Sequence, residues 1–280
     1  MTNPFKRVLA EAIDYFSRAG FGEDNTLDYW QGRLRLAIGD ILRSWNNPND
    51  AATIRLSSIY SRAFRPGRGG VEQFHGNLSR LTIQSLEPSL RPLLTARIYA
   101  SAQLIKLNRD QAIEDTLRRF AGWVSSIPPG GSPRKLVQPA NVVSRISKPL
   151  QQCSYQERRL LIDQGHKLIS SINQVIAEGN GAIAEIWHSH WRDASYDYRP
   201  DHKARDGKVY LIRNSWAHQN GLVKPDKNGY IEDITQPGEE VFCRCYAEFL
   251  YALSELPADM LTRKGKELLK NTRGKNASSE

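Results

Sequence analysis

Phe5, Leu9, Ile13 and Phe16 recur every three or four positions, which predicts an amphipathic helix ending at Gly20. A second helix is predicted after the caps Asn25-Thr26, with Leu27, Trp30, Leu34, Ile38, Ile41 and Trp45 along one face. Asn49-Asp50 can start a third, in which Ile54, Ile59 and Phe64 are expected in the core, and Pro66-Gly67-Arg68-Gly69-Gly70 breaks it. That glycine run lacks the Lys-Ser/Thr of a phosphate-binding loop, so a flexible connection is the plainer reading. Further helices fit residues 71–86, 89–107 and 109–126, with Leu90, Leu94, Ile98 and Ile105 as core and Asn108 with Gln111 as a capping box. Pro128-Pro129-Gly130-Gly131-Ser132-Pro133 closes this helical half.

Ser154 and Glu157 form another capping-box pattern, predicting a long helix to about Ala177 with Leu161, Leu168, Ile172 and Val175 on one stripe. Three strands are expected, over Ala182–Trp187, Lys208–Ile212 and Val241–Phe249, forming a small sheet against that helix. Residues 214–236, with Asn220-Gly221 and Asn228-Gly229 turns, are expected to be exposed. Residues 259–280 begin as a polar helix and end as a basic, Ser-rich, mobile stretch. The expected fold class is thus α+β and predominantly α: an N-terminal helical region, then a long helix and a small β-sheet module with long loops. The expected organisation is a helical region over 1–127, a linker over 128–141, the α+β module over 142–256 and a basic C-terminal tail over 257–280.

A chain of 280 residues with 40% hydrophobic and 25% charged residues can bury a substantial core. It has no run of eighteen apolar residues, so no transmembrane helix and no membrane association are expected, and its N-terminus does not read as a signal peptide. Three cysteines give no disulfide framework, which fits assembly in a reducing cytoplasm. The net charge of +9 is unevenly spread. Residues 1–150 carry 21 Lys and Arg against 12 Asp and Glu, whereas residues 151–256 carry 12 against 15. Basic surface therefore lies outside the module, where it would attract phosphate or an acidic protein face.

The candidate chemistry is concentrated in two short clusters, Arg199-Pro200-Asp201-His202-Lys203-Ala204-Arg205-Asp206-Gly207-Lys208-Val209-Tyr210 and Gly238-Glu239-Glu240-Val241-Phe242-Cys243-Arg244-Cys245. If residues 241–246 form a strand, both thiols leave one face and Arg244 the other. With His202 brought alongside, the clusters would supply one imidazole and two thiolates, a ligand set suited to a structural zinc ion with a fourth ligand from His218, an Asp or water. The competing readings are buried thiols beside a hydrogen-bonded histidine, or an acid/base group of Asp201, His202 and Asp206 with Glu239 and Glu240. A variant makes His202 and His218 parts of a metal-dependent nuclease. Without a Ser-centred nucleophile motif, an H-E-x-x-H or a complete His-Asn-His arrangement, no catalytic or cofactor-binding residue is assigned and a non-enzymatic role is expected. In the structural reading Gly207 permits a tight turn, Asp206 caps it, and Arg199 pairs with Asp201, Asp206 or Glu239. His188, His190 and His218 fall in no clear motif and read as solvated or hydrogen-bonded.

The same two clusters, in order, resemble the Mu F-like minor head protein family of tailed bacteriophages over roughly residues 154–250. The likeness is carried by Arg199, His202, Asp206, Gly207, Gly238, Glu239, Cys243, Arg244 and Cys245. Phe242 stands where the family usually has Asn, and Ser170-Ser171-Ile172-Asn173 where many members have an Arg-Thr-Glu segment. The resemblance implies a virion protein of head morphogenesis, assembled in the host cytoplasm and carried in few copies inside the head or at the portal. Its implied partners are the portal protein, the major capsid or scaffolding protein and packaged double-stranded DNA. The family's module can also be joined to toxin domains, so the alternative is a head-carried effector such as a nuclease or ADP-ribosyltransferase.

Overall fold

The computed structural model describes residues 4–22, 24–65, 70–76, 78–131, 139–195 and 197–277. Residues 66–69 of the expected break, 132–138 of the expected linker and 278–280 of the tail lie outside that description. The chain is predominantly helical with one three-stranded antiparallel sheet, as the pattern predicts. No helix among the described residues is long and apolar enough to cross a membrane. Two compact units form, one from Met1–Ile54 with Ile98–Leu161 and the other from Arg55–Arg97 with Ile162–Glu280. The division therefore falls within helices, whereas the sequence suggests one at residues 128–141.

The first unit is built on α1 (Pro4–Ala19) and α2 (Asp24–Ser44), with parts of α3 (Pro48–Ala63), α4 (Arg80–Val124) and α5 (Pro139–Gly179). Phe5, Leu9, Ile13 and Phe16 from α1 meet Trp30, Leu34 and Ile38 from α2, Leu117, Phe120 and Val124 from α4, and Ile146 and Leu150 from α5. The periodicity of α1 and α2 is that of helices burying a single stripe. α4 and α5 are longer than predicted. Pro88 and Pro92 are exposed within α4, so the carbonyls whose bonds they remove can face solvent and the helix continues. Neither capping box forms, because both polar patterns fall inside continuous helices and link them instead. The Asn108 side-chain amide donates to the Cys153 carbonyl (3.3 Å), and the Arg109 Nε donates to Glu157 Oε1 (2.8 Å). Arg109 also reaches the Asn46 carbonyl (3.0 Å), which leaves that nearly buried cation well satisfied. In α3 the buried stripe is Ala52, Leu56, Tyr60 and Ala63, and Ile54, expected in the core, is 66% exposed.

In the second unit β1 (Ala184–His188) is the central strand, flanked by β2 (Val209–Leu211) and β3 (Tyr246–Leu250). Ala184 pairs with both Leu211 and Leu250, and His188 with Tyr246. Alternation along β1 sends its residues into different clusters. Ala184 joins Leu211, Leu250, Leu222, Val223, Met260 and Leu261. Trp187 joins Tyr210, Ile231, Cys243 and Cys245. Residues 214–236, expected from their turns to be exposed, are not simply so: Ala217, Leu222, Val223 and Ile231 are core, while the Asn220-Gly221 turn and Trp216 face water. The start of the expected tail, residues 257–261, is part of the module, since Met260 and Leu261 are buried and Val223 bridges to Leu261 before the final helix (Arg263–Ala277) begins. Leu168, Ile172 and Ile176 supply the large buried apolar positions on α5 in this unit, while Val175 is 43% exposed.

Candidate metal centre

The site begins where the sequence turns sharply. α6 (Pro200–Arg205) starts with proline at its first position, where the missing N–H costs nothing, and spans six residues. Gly207 then adopts φ +74°, a conformation that favours glycine, and its N–H bonds the Trp187 carbonyl at 2.8 Å. This reversal sends the chain into β2 alongside β1 and holds His202, 1% exposed, beneath the Trp187 indole. Asp206 fixes the far side of the turn, accepting from the Ser189 N–H (2.8 Å) and the Trp191 indole N–H (2.7 Å). Burial acts against ionisation of Asp206, but these two donors hold its carboxyl below the usual carboxylate range.

The second cluster approaches as a turn, not as a strand. β3 begins only at Tyr246, and residues 241–245 are irregular. The Cys243 N–H bonds the Glu240 carbonyl (3.1 Å), and Phe242 sits at φ +60° with its N–H bound by Asp163 Oδ1 at 2.6 Å. Gly238 has φ +82°, and a Cβ there would lie 3.0 Å from the Ser170 Cβ, so both conformation and space call for glycine. This turn, and not the pleat expected of a strand, brings both sulfurs inward. The Cys243 Sγ and the Cys245 Sγ each lie 3.5 Å from His202 Nδ1, and all three residues are buried.

A polar frame surrounds the three. His202 Nε2 faces Glu240 Oε1 at 3.3 Å. Thr235 Oγ1 donates to the same oxygen at 3.2 Å, and Arg199 Nε meets the other oxygen of Glu240 at 2.6 Å. Arg199 also donates to the Val241 carbonyl (2.9 Å), so its acidic partner is Glu240 and not Asp201, Asp206 or Glu239. Glu239 is unavailable to it because its carboxylate closes its own turn on the Gln236 N–H (2.7 Å). Arg205 donates to Asp201 (2.9 Å) and to Thr235 Oγ1 (3.0 Å). The Cys245 thiol donates to the Cys243 sulfur and, against the effect of burial, favours the Cys243 thiolate; the same bond raises the Cys245 pKa.

Of the residues singled out from sequence, His202, Cys243 and Cys245 come together, framed by Arg199, Gly207 and Gly238. Asp206 is engaged with Ser189 and Trp191. His218 is occupied by the Tyr230 hydroxyl (3.0 Å) and does not join the metal-like group among the described residues. His188 faces Glu248 (3.3 Å) and stacks on Tyr246, and His190 meets the edge of the same ring. Arg244 leaves the thiol cluster and lines a cavity of about 440 Å³ with His166, His190, Glu185 and Glu248. Sequence reasoning did not foresee Trp187, Ser189, Asp163 and Thr235, whose roles depend on contacts across long stretches of chain. No family model, curated protein or solved structure matched the chain.

Proposed function

We propose that this protein is a minor head protein of a tailed bacteriophage, a non-enzymatic component of head morphogenesis that binds portal or capsid subunits. The observation that carries this reading is the convergence of the two clusters on which the resemblance rests. Separated by about forty residues, they meet through Arg199 and Glu240 at 2.6 Å and through His202 and the two cysteines at 3.5 Å. Arg199, Asp206, Gly207 and Gly238 hold the module's loops in place, which is what a shared structural signature requires. Partner binding draws support from apolar side chains left at the surface: Tyr29 and Leu36 on α2, and Leu81, Tyr99 and Leu107 on α4, are each at least 59% exposed. The basic balance of residues 1–150 suits contact with packaged DNA or an acidic subunit face.

Co-expression of the full chain with a tailed-phage portal protein, followed by size exclusion, tests the reading. Co-elution with the portal oligomer is expected, and substitution of Tyr99 and Leu107 by Asp should reduce it. Separate elution of two folded proteins would overturn the portal assignment.

A further inference from the structure

We propose that His202 Nδ1, Cys243 Sγ and Cys245 Sγ bind one zinc ion, and that Glu240 is a positioning residue that sets the histidine for it. His202 Nε2 faces a carboxylate oxygen of Glu240 at 3.3 Å, and a carboxylate accepts, so the ring proton sits on Nε2. Nδ1 then carries a single lone pair and no hydrogen. Two sulfurs lie equally close to it, at 3.5 Å each. One lone pair can accept only one S–H, yet both sulfurs approach the same nitrogen equally and all three atoms face one point in a buried pocket. Three ligands of one metal ion have that arrangement. Zinc–sulfur and zinc–nitrogen bonds of about 2.3 and 2.0–2.1 Å at a tetrahedral angle place nitrogen and sulfur about 3.5 Å apart.

The chemistry of the surroundings agrees. On binding, Zn²⁺ displaces one proton from each thiol to solvent, and two thiolates with a neutral imidazole leave the centre uncharged. An uncharged centre suits a pocket in which all three residues are at most 5% exposed. The Trp187 indole N–H and the Ser189 hydroxyl are buried without a hydrogen-bond partner among the described residues, and Trp187 packs in one cluster with both cysteines. Glu240, braced by Arg199 and Thr235, completes a carboxylate–histidine pair of the kind that orients a metal-ligating imidazole. Two thiolates and one imidazole favour zinc over magnesium or calcium. Among the described residues no fourth Cys, His, Asp or Glu joins the group, so the fourth position falls to water. None of this depends on the head-assembly reading.

The test uses the full chain purified under reducing conditions without chelator. Elemental analysis should find about one zinc per chain, and Co²⁺ replacing it should show thiolate-to-metal charge transfer and the visible bands of a tetrahedral site. Alkylation mapped by mass spectrometry should show Cys243 and Cys245 protected until a strong chelator is added. Cys153, held elsewhere by Asn108 and Glu157, should respond to the chelator no differently before and after zinc loading. Competition with a chromophoric chelator should give about 10- to 100-fold weaker zinc binding for Glu240→Ala, with partial recovery in Glu240→Gln, whose amide oxygen can still accept from Nε2. Metal content that stays far below one per chain after zinc is added, or cobalt spectra without thiolate bands, would overturn the site without any variant having to fold. Unchanged affinity in Glu240→Ala would overturn the positioning role.

Discussion

Glu185 stands on the central strand, fully buried, with neither carboxyl oxygen hydrogen-bonded among the described residues. Burial, and then the like charge of Glu232, push its pKa up from 4.5 to about 8, so it is protonated in the folded chain at neutral pH. Between those two values the folded state holds a proton that the unfolded state has released. Stability should therefore fall by about 1.4 kcal/mol per pH unit as pH rises from 4.5 to 8. Glu185→Gln should remove that slope, matching the parent near pH 5 and exceeding it at pH 8 in chemical denaturation; parallel curves for both proteins would show that Glu185 is not a buried acid. Such a residue is hard to read from sequence, because Ala-Glu-Ile-Trp-His looks like a strand with one wet face. The metal-like trio was legible, because His202, Cys243 and Cys245 lie in two recognisable clusters. Glu240 was not singled out, since nothing in Glu239-Glu240 says which carboxylate closes its own turn and which faces the histidine. Phe242 is instructive for a different reason: it adopts φ +60° where the resembling family carries Asn, a residue more at ease in that conformation.

The elements divide by how local their causes are. α1 and α2 were predicted nearly to their ends, because one apolar stripe meets one core. α4 was divided at Pro88 and at Asn108, since proline and a capping pattern are local stop signals; exposure of the prolines and the partnering of Asn108 with Cys153 override both. The third strand was started too early, because Val241-Phe242-Cys243 has strand composition while its conformation is set by Asp163, 79 positions upstream. The C-terminal end was misread in the opposite sense. Met260 and Leu261 stand just before a basic stretch, yet both are buried in the cluster with Leu222 and Val223. Leu261→Ala should cost about 2–5 kcal/mol in chemical denaturation, the range for a buried leucine. A loss below about 0.5 kcal/mol, typical of surface positions, would return residues 257–280 to the status of a tail.

At the scale of the whole molecule, the helical sequence outside the two clusters carries most of the basic excess and several exposed apolar side chains, while the module supplies the signature. That separation fits a protein whose module is held by its own internal bonds and whose helices meet other subunits. The fold class was legible because it follows from periodicity; the units were not, because α3, α4 and α5 each run through both of them. The proposed function rests first on the paired clusters, with the basic balance of residues 1–150 as support. The most direct test is quantitative mass spectrometry of phage particles purified on a density gradient from cells that express this chain. The account predicts this chain inside the particle at a few copies per portal, protected from external protease until the head is opened. Particles of normal composition that lack the chain, while cells retain it free, would contradict the account.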